Sequence, residues 1–378
     1  MSFTYFDTKD NKVQQDTSHV EINSIVNNSL KNGKPKEEVE IFSKMVWGKD
    51  VSNYGTKVDT VRKDVMKIAD AADNGDTKAK AEINSIVTVT LQQPLMQRLQ
   101  INNMLGNTTV VPYDAALRYE FYQIQGELSR DQAASGSFVT PTVKKMTDYA
   151  ETHTASGGLA IDYREMASGA IDGFARAAEQ VVTSIFNQVT AFNFTTLHNG
   201  IVNATTMKNY AAGITKSSVD AVLLKARRFG NVTIMGDYSA VSKLNGLSGF
   251  GTVGTAFVPT NATWTYSDAT MDEIRRTGLV KNYNGTTVIE VPNTYNLTEL
   301  NTAGDFFKPY LNTTDMWFVP QGQLTPLNIV YRGGLTTMTG TNINTREEIT
   351  VWDLCHGAKV FAPYLMGVGM IYDSSLAE

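Results

Sequence analysis

The chain has 378 residues, a formal net charge of −5 and a single cysteine, Cys355. This length allows two domains, or one domain with long excursions. The acidic balance argues against a nucleic-acid binder driven by phosphate contacts. One cysteine excludes an intrachain disulfide framework and a thiolate-rich metal site. The N-terminal residues lack the charged and apolar regions of a signal peptide, and we expect no membrane-spanning segment.

Residues 1–105 are polar and predict mostly helices. Apolar residues at helical spacing mark short amphipathic helices near residues 39–46 and 58–68, and a third helix is expected from about Thr77 to Gln92. Their apolar faces are narrow, and isolated short helices are marginal in water. Each helix must therefore pack on the main body or on another subunit.

From Asn107 to Ile161 the pattern changes to extended structure. Alternating apolar and polar residues predict two strands, near residues 117–122 and 145–153. The segment Ser129–Ser137 between them cannot pack a core and is typical of a flexible tip. The resulting long hairpin is too poor in large apolar residues to be stable alone. Two interpretations remain open: it docks on a partner, or it covers the protein's own core.

A long helix is predicted from Asp162. The apolar residues at steps of three and four are Met166, Ala170, Phe174, Ala178, Val181, Ile185, Val189 and Phe192. Asp162 is the expected N-cap, Glu165 would complete a capping box, and Asn199-Gly200 is the expected stop. Gly169 and Gly173 predict a bend near the start. The helix is either buried in one α/β domain or a spine shared by two lobes.

An α/β segment follows the long helix. Ser217 or Ser218 is the expected cap of its first helix, and Asp237 caps the next one. Asn284-Gly285 gives a strong hairpin signal between two short strands. The other predicted elements are a strand at Val232–Met235, a helix at Asp268–Thr277, strands at Met316–Val319 and Asn328–Arg332, and two or three strands within Glu348–Tyr372.

Gly249, Gly251 and Gly254 match the dinucleotide-binding fingerprint as a string. The context is wrong, because the string follows a helix and no helix opens on its last glycine. We therefore interpret these residues as a glycine-rich loop at the rim of the α/β segment. No cofactor is expected.

No catalytic or metal-binding constellation is evident. Cys355 and His356 are adjacent in a predicted strand, where neighbouring side chains point to opposite faces, so they cannot form a dyad. We expect Cys355 to be a small buried residue. The histidines His19, His153 and His198 fall in three different structural settings, so no metal site is predicted. The sequence predicts a protein that is not an enzyme.

The order of these parts resembles the major capsid protein of tailed bacteriophages, with the Hong Kong 97-like fold. The most specific piece, residues 274–293, is similar to that family's helix, strand, Asn-Gly turn and strand ending in a proline. Arg346-Glu347-Glu348 followed by Val351-Trp352 is similar to its closing strands. The resemblance implies an α+β fold with an N-terminal arm, an extended β-hairpin loop, a long spine helix in a peripheral domain, and an α/β axial domain.

The resemblance also implies how the chain is divided. The expected parts, in order, are an N-terminal helical arm (1–105), the extended loop (106–161), a peripheral domain with the spine helix (162–214), an axial domain (215–325), and return strands of the peripheral domain with a C-terminal tail (326–378).

The implied function is a structural shell protein of the virion. It would self-assemble as hexamers and pentamers into an icosahedral head around double-stranded DNA in the host cytoplasm, without sequence-specific DNA binding or a membrane. The tip residues Arg130, Asp131 and Gln132 are expected on an adjacent subunit, and the N-terminal helices are expected to strap another. The loop of Gly249, Gly251 and Gly254 would face the centre of each ring.

Two departures from the family carry information. Members that scaffold themselves lose an N-terminal domain of about the length of residues 1–105, whereas here we expect an uncleaved arm, a separate scaffolding protein and a portal, with decoration proteins left open. Some members also form a Lys–Asn isopeptide bond. Lys144 and Lys145 lie in the corresponding loop, with Asn342 or Asn344 as conceivable acceptors, but nothing in the sequence supports that chemistry.

The sequence leaves two alternative functions open. The first is a bacterial nanocompartment (encapsulin-like) shell protein of the same fold, although those are usually shorter and lack the N-terminal extension. The second is a soluble α/β enzyme that binds a phosphate ligand at the Gly249 loop. The cargo of the particles and the binding of a nucleotide, respectively, would identify them.

Overall fold

The computed structural model describes twelve stretches of the chain: 37–112, 115–116, 118–125, 142–149, 151–161, 163–169, 171–206, 208–247, 276–301, 303–321, 326–341 and 348–377. Helices and strands are mixed throughout these stretches. The strands form one four-stranded sheet, one six-stranded sheet and two strand pairs. The fold is therefore α+β, as predicted.

The N-terminal segment forms helices, as predicted, and they pack on their own chain. The helices are α1 (Glu37–Val46), α2 (Lys57–Asp73), α3 (Thr77–Leu99) and α4 (Asn102–Leu105). Their buried residues belong to the same core as the long helix, and the rings of Phe42 and Phe174 lie 6.5 Å apart. Their apolar faces are thus covered within the chain, and the expectation that these helices strap a neighbouring subunit stays a prediction.

The long helix is broken near its start. A short helix, α5 (Tyr163–Ala167), precedes the spine helix α6 (Ile171–Asn203), which has 33 residues. The single helix predicted from Asp162 is thus wrong, because Gly169 adopts φ +84, outside the helical range. The predicted cap, Asp162, lies outside the described residues. The predicted apolar face is confirmed where it is described, with Ala178, Val181 and Val189 buried in the core.

The predicted stop at Asn199-Gly200 is also wrong, since α6 continues to Asn203. A Cβ atom on Gly200 would lie 3.0 Å from a methyl carbon of Val360. The glycine therefore permits a neighbouring strand to approach the helix closely and does not end it.

A four-stranded sheet packs against the spine helix. Its strands are β1 (Gly106–Val111), β4 (His153–Ile161), β12 (Leu327–Thr341) and β13 (Glu348–Val360), in the order β1-β12-β13-β4. The β1–β12 pair is parallel and the other two pairs are antiparallel. The predicted extended segment 106–161 therefore begins and ends within this sheet.

The projecting part of that segment is a separate antiparallel pair, β2 (Arg118–Gln125) and β3 (Thr142–Tyr149). Arg118 pairs with Tyr149, and Gln125 pairs with Thr142. The predicted hairpin is confirmed as a strand pair. Its second strand ends earlier than expected, because His153 already belongs to β4.

A six-stranded sheet forms the α/β lobe, in the order β5-β14-β11-β6-β8-β7. Its strands are β5 (Asn209–Ala212), β6 (Asn231–Gly236), β7 (Asn282–Tyr283), β8 (Thr286–Glu290), β11 (Asp315–Gln321) and β14 (Gly369–Tyr372). Side chains alternate along β11, so Met316 and Phe318 enter one core while Trp317 and Val319 enter the other. The first core contains helices α7 (Lys216–Ala226) and α8 (Tyr238–Val241), and the second contains the spine helix.

Two of the local sequence predictions for this lobe are confirmed. Asp237 caps α8 as predicted, and Asn284-Gly285 forms the predicted turn with φ of 47 and 73. The cap of α7 is Thr215, not Ser217 or Ser218; Thr215 and Ser218 form a reciprocal capping box. Strands β5 and β14 lie in this sheet although the predicted division assigned their residues to the peripheral domain. The other domain boundaries stay a prediction.

Candidate assembly surfaces

The structure locates two of the predicted contact residues. Lys144 and Lys145 lie on β3, where both are exposed and, as neighbours in a strand, point to opposite faces. The other predicted contact residues lie outside the described residues: Arg130, Asp131, Gln132, Gly249, Gly251 and Gly254. The isopeptide partners Asn342 and Asn344 also lie outside them, so that bond stays a prediction.

The base of the extended hairpin is fixed to the four-stranded sheet. Lys359 Nζ lies 2.6 Å from an Asp148 carboxylate oxygen and donates to the Tyr149 carbonyl at 3.2 Å. The bond from Lys359 is the main cause that lowers the pKa of Asp148. Tyr119, at the start of β2, is buried with Val330 and Phe361. The hairpin is thus anchored at its root while its side chains further along β3 are exposed.

A second strand pair carries a set of exposed apolar side chains. It consists of β9 (Tyr295–Leu300) and β10 (Phe307–Pro309), paired antiparallel outside both large sheets. Leu297 is 72% exposed and Phe306 is 56% exposed. The other exposed apolar residues of the pair are Tyr295, Leu300 and Phe307. We call residues 295–309 the β9–β10 hairpin.

Sequence reasoning missed this hairpin. The available signal was weak, since Tyr295, Leu297 and Glu299 alternate with polar residues over one short stretch. The turn is built from Asn301, whose side chain accepts from the backbone of Gly304 and donates to Asp305 at 2.8 Å each. Asn-x-x-Gly turns of this kind are common, so the pattern did not by itself point to a projecting element.

The root of the β9–β10 hairpin is held by Asn293. Its side chain donates to Asp237 at 2.7 Å and accepts from the backbone N–H of Leu311 at 3.0 Å, joining the two ends of the hairpin to the cap of α8. Thr294 accepts a hydrogen bond from Asn187 of the spine helix. Both lobes therefore hold the hairpin's base.

The end of α7 forms another exposed surface, with both apolar and basic character. Leu224 is 63% exposed, and Lys225, Arg227 and Arg228 are exposed beside it. Arg227 donates to the Asn284 carbonyl and to Thr286 Oγ1, so it is tied to the β7–β8 turn. We call Leu224–Arg228 the α7 end.

A small depression lined in part by Asp237 and Asp315 lies where the spine helix meets the six-stranded sheet. His198 Nδ1 lies 2.7 Å from Asp315 Oδ2, and this bond raises the pKa of His198. Thr314 donates to the other oxygen of Asp315 at 3.0 Å. The second carboxylate of the depression, Asp237, accepts from Ser239 and Asn293. Both carboxylates thus serve hydrogen bonds within the fold.

Cys355 and His356 lie on β13 and do not form a dyad. Burial raises the pKa of the Cys355 thiol, which disfavours the nucleophilic thiolate. Burial also lowers the pKa of His356 to about 4. The structure places His356 opposite His153 on β4, a proximity that the sequence did not reveal. Cys355 is partly exposed, contrary to the expectation of a buried residue.

The described stretches of the chain carry neither a metal-binding cluster nor a helix of membrane-spanning character. Within them, no group of three or more His, Cys, Asp or Glu side chains could hold a metal ion. Nor does any helix there combine the length and apolar character needed to cross a membrane.

The N-terminal helices, the strand pair β2–β3 anchored at its root, the long spine helix and the six-stranded α/β lobe follow one another in the chain order that the sequence resemblance implies. The family model described as "SPbeta prophage-derived putative capsid protein YonB" matches residues 21–369, so the chain belongs to this family of phage-derived capsid proteins. The resemblance to a phage capsid protein seen in the sequence is therefore confirmed.

Solved structures with similar folds come from several particles. A virus-like particle from Pyrococcus furiosus has 9% identity and a TM-score of 0.43, over 75% of this chain and 98% of that chain. A protein of Gordonia phage Cozz has 12% identity and a TM-score of 0.43, over 72% and 86%. The holo-SrpI encapsulin complex from Synechococcus elongatus PCC 7942 has 11% identity and a TM-score of 0.41, over 73% and 86%. A search of curated protein sequences gave no match.

Proposed function

We propose that this chain self-assembles as hexamers and pentamers into an icosahedral phage head around double-stranded DNA. The observation that supports it best is the pair of hairpins, β2–β3 and β9–β10, whose exposed side chains extend from a body that already has its own cores. Isolated strand pairs are marginal in water, so each of them gains stability from a neighbouring surface. Many copies that repeat such contacts can close a shell.

The proposal also includes partner proteins and the cellular compartment in which the shell assembles. A separate scaffolding protein and a portal would guide assembly in the host cytoplasm, and decoration proteins remain open. The acidic chain would enclose DNA without gripping it, because its net charge of −5 does not favour phosphate binding. No catalytic role is part of the proposal.

Contacts between subunits would come from the predicted residues. Arg130, Asp131 and Gln132 at the tip, with Lys144 and Lys145 on its second strand, would lie on an adjacent subunit. The loop of Gly249, Gly251 and Gly254 would face the centre of the ring. Glycine's low conformational restraint suits a loop that must accept both five-fold and six-fold surroundings.

Light scattering and negative-stain electron microscopy of the chain, expressed alone and with its neighbouring genes, test this proposal. We expect closed shells, or rings of five and six. A monodisperse monomer under every condition would contradict it. The cargo then separates the shell classes: nuclease-protected DNA supports a phage head, whereas a packaged enzyme supports a nanocompartment.

A further inference from the structure

We propose that the β9–β10 hairpin of each copy binds the α7 end of the next copy around the ring. This inference rests on the proposed function as a shell and names one contact that would build its hexamers and pentamers. The occupant of the hairpin surface is a second copy of this chain.

The β9–β10 hairpin is rich in exposed apolar side chains. Among the described residues of 295–309 five are exposed, and they lie on both faces: Tyr295 and Leu297 on one face of β9, Leu300 on the other. Exposed apolar groups gathered on one short element are typical of an interaction site. Tyr295 and Phe306 make an edge-to-face contact at 5.0 Å, and both side chains are nonetheless exposed.

Hydrogen bonds at its turn and its base hold the hairpin in one conformation. Asn301 orders its turn, and Asn293 ties its two ends to the cap of α8. A segment that is already ordered loses little conformational entropy on binding. The hairpin therefore presents its apolar side chains as a preformed surface.

The β9–β10 hairpin and the α7 end occupy different positions along the six-stranded sheet. The hairpin follows Val291, whose backbone N–H bonds to Gly236 at the last residue of β6. The α7 end precedes Asn231, the first residue of β6. The two surfaces thus lie at opposite ends of the same strand. A contact between different patches on two copies is head-to-tail, and such contacts close a ring when the rotation between neighbouring copies divides a full turn evenly.

The hairpin and the α7 end differ in the charge of their exposed residues. The hairpin carries the exposed acidic residues Glu299 and Asp305, along with one exposed base, Lys308. The α7 end carries Lys225, Arg227 and Arg228 around Leu224. An apolar patch with acidic neighbours meets an apolar residue with basic neighbours, and such complementarity fixes orientation and excludes wrong partners.

Engineered cysteines test the contact in assembled particles. The pair Leu297→Cys and Leu224→Cys is placed in a Cys355→Ser background, and shells are treated with a short bismaleimide. We expect a ladder of covalently linked copies on a denaturing gel. The matched control joins Leu297→Cys to Met338→Cys, since Met338 is 59% exposed on a strand of the other sheet. All three sites are exposed, so folding should be retained.

The cross-linking experiment distinguishes failure of this contact from failure of the proposed shell function. If shells form but the test pair links no more than the control pair, the contact is wrong while the shell function stands. If the native chain forms no shells or rings, the shell function fails. A ladder from the test pair and none from the control supports the contact.

A charge exchange gives an independent readout. Glu299→Arg and Arg228→Glu should each reduce the yield of shells several-fold, and the double variant should recover most of it. Both positions are exposed, and an unchanged circular dichroism melting curve shows that the monomers fold. Single variants that assemble as well as the native chain, or a double variant no better than the singles, would overturn the contact.

Discussion

Trp352 donates a hydrogen bond from Nε1 to Thr88 Oγ1 at 3.0 Å, joining residues 264 positions apart. Both side chains are buried. Thr88 lies in the N-terminal helix α3, and Trp352 lies in the central strand β13 of the four-stranded sheet. The N-terminal helix is therefore part of the main core, and its hydroxyl group completes the indole's hydrogen bonding.

Replacing Thr88 with Val should destabilise the chain. The change keeps the shape of the side chain but leaves the Trp352 N–H buried without its acceptor. An unsatisfied buried donor costs about 1–3 kcal/mol, and the free energy of unfolding should fall by that amount in urea denaturation.

Thr60→Val is the matched control for this change. Thr60 also sits in an N-terminal helix and bonds to the carbonyl four residues earlier, but it is exposed. Its replacement should change stability by less than about 0.5 kcal/mol. Equal effects at the two positions would show that α3 is not tied to the core through Trp352.

Gly157 and Gly158 are adjacent in β4, and their replacement by alanine should have different effects on stability. A Cβ on Gly157 would lie 2.9 Å from a methyl carbon of Val181 on the spine helix, whereas a Cβ on Gly158 meets its nearest atom at 3.5 Å. Gly157→Ala should therefore push the strand from the helix and lower the free energy of unfolding by about 1–3 kcal/mol. Gly158→Ala should be neutral or stabilising. Thermal melting of both variants checks this, and the reverse order would contradict the packing.

His356 should make the chain sensitive to acid. Burial holds its folded-state pKa at about 4, below the unfolded value of 6.5, so the unfolded chain binds more protons between these values. The free energy of unfolding should fall as pH drops from 6.5 to about 4. In a His356→Leu variant, the fall in the free energy of unfolding over this pH range should be smaller by about 3 kcal/mol. Each unit of pKa difference between the folded and unfolded states corresponds to about 1.36 kcal/mol. Denaturation at a series of pH values measures it, and an unchanged decline would count against the burial argument.

His198, in contrast, should make the chain less stable as the pH rises. Its bond to Asp315 raises its folded-state pKa above 6.5, so its contribution to stability is complete below pH 6.5 and is lost as pH rises through the raised value. His198→Gln should remove the decline above pH 6.5. The His356→Leu variant should keep that decline, and each variant thus serves as the control for the other. A native chain with no decline above pH 6.5 would contradict the His198–Asp315 pair.

Local patterns predicted much of the fold. The spine's apolar face, the Asp237 cap and the Asn284-Gly285 turn depend on residues close together in sequence, and all three are present. The predicted bounds of the long helix were wrong because Gly169 interrupts the helix, whereas Gly200 lies within it. A glycine's role depends on its backbone angle and on what approaches it, which local spacing does not give.

Contacts between distant segments were not predictable in the same way. The sequence left open whether the N-terminal helices pack on the body or on a neighbour, because a narrow apolar face fits either surface. Strand β5 is short and pairs with β14, far along the chain, so its pairing has no local signal. The β9–β10 hairpin pairs locally, but its strands are too short for a clear sequence pattern. The candidate contact residues at 130–132 and 249–254 lie outside the described residues and stay predictions.

The most direct test of the central claim, that this chain is the building block of a closed shell, is a cryo-electron microscopy reconstruction of the particles it forms. We predict one chain in both five-fold and six-fold rings, with residues 37–105 packed on their own spine helix. A particle built without such rings, or a chain that stays monomeric under every condition of co-expression, would contradict it.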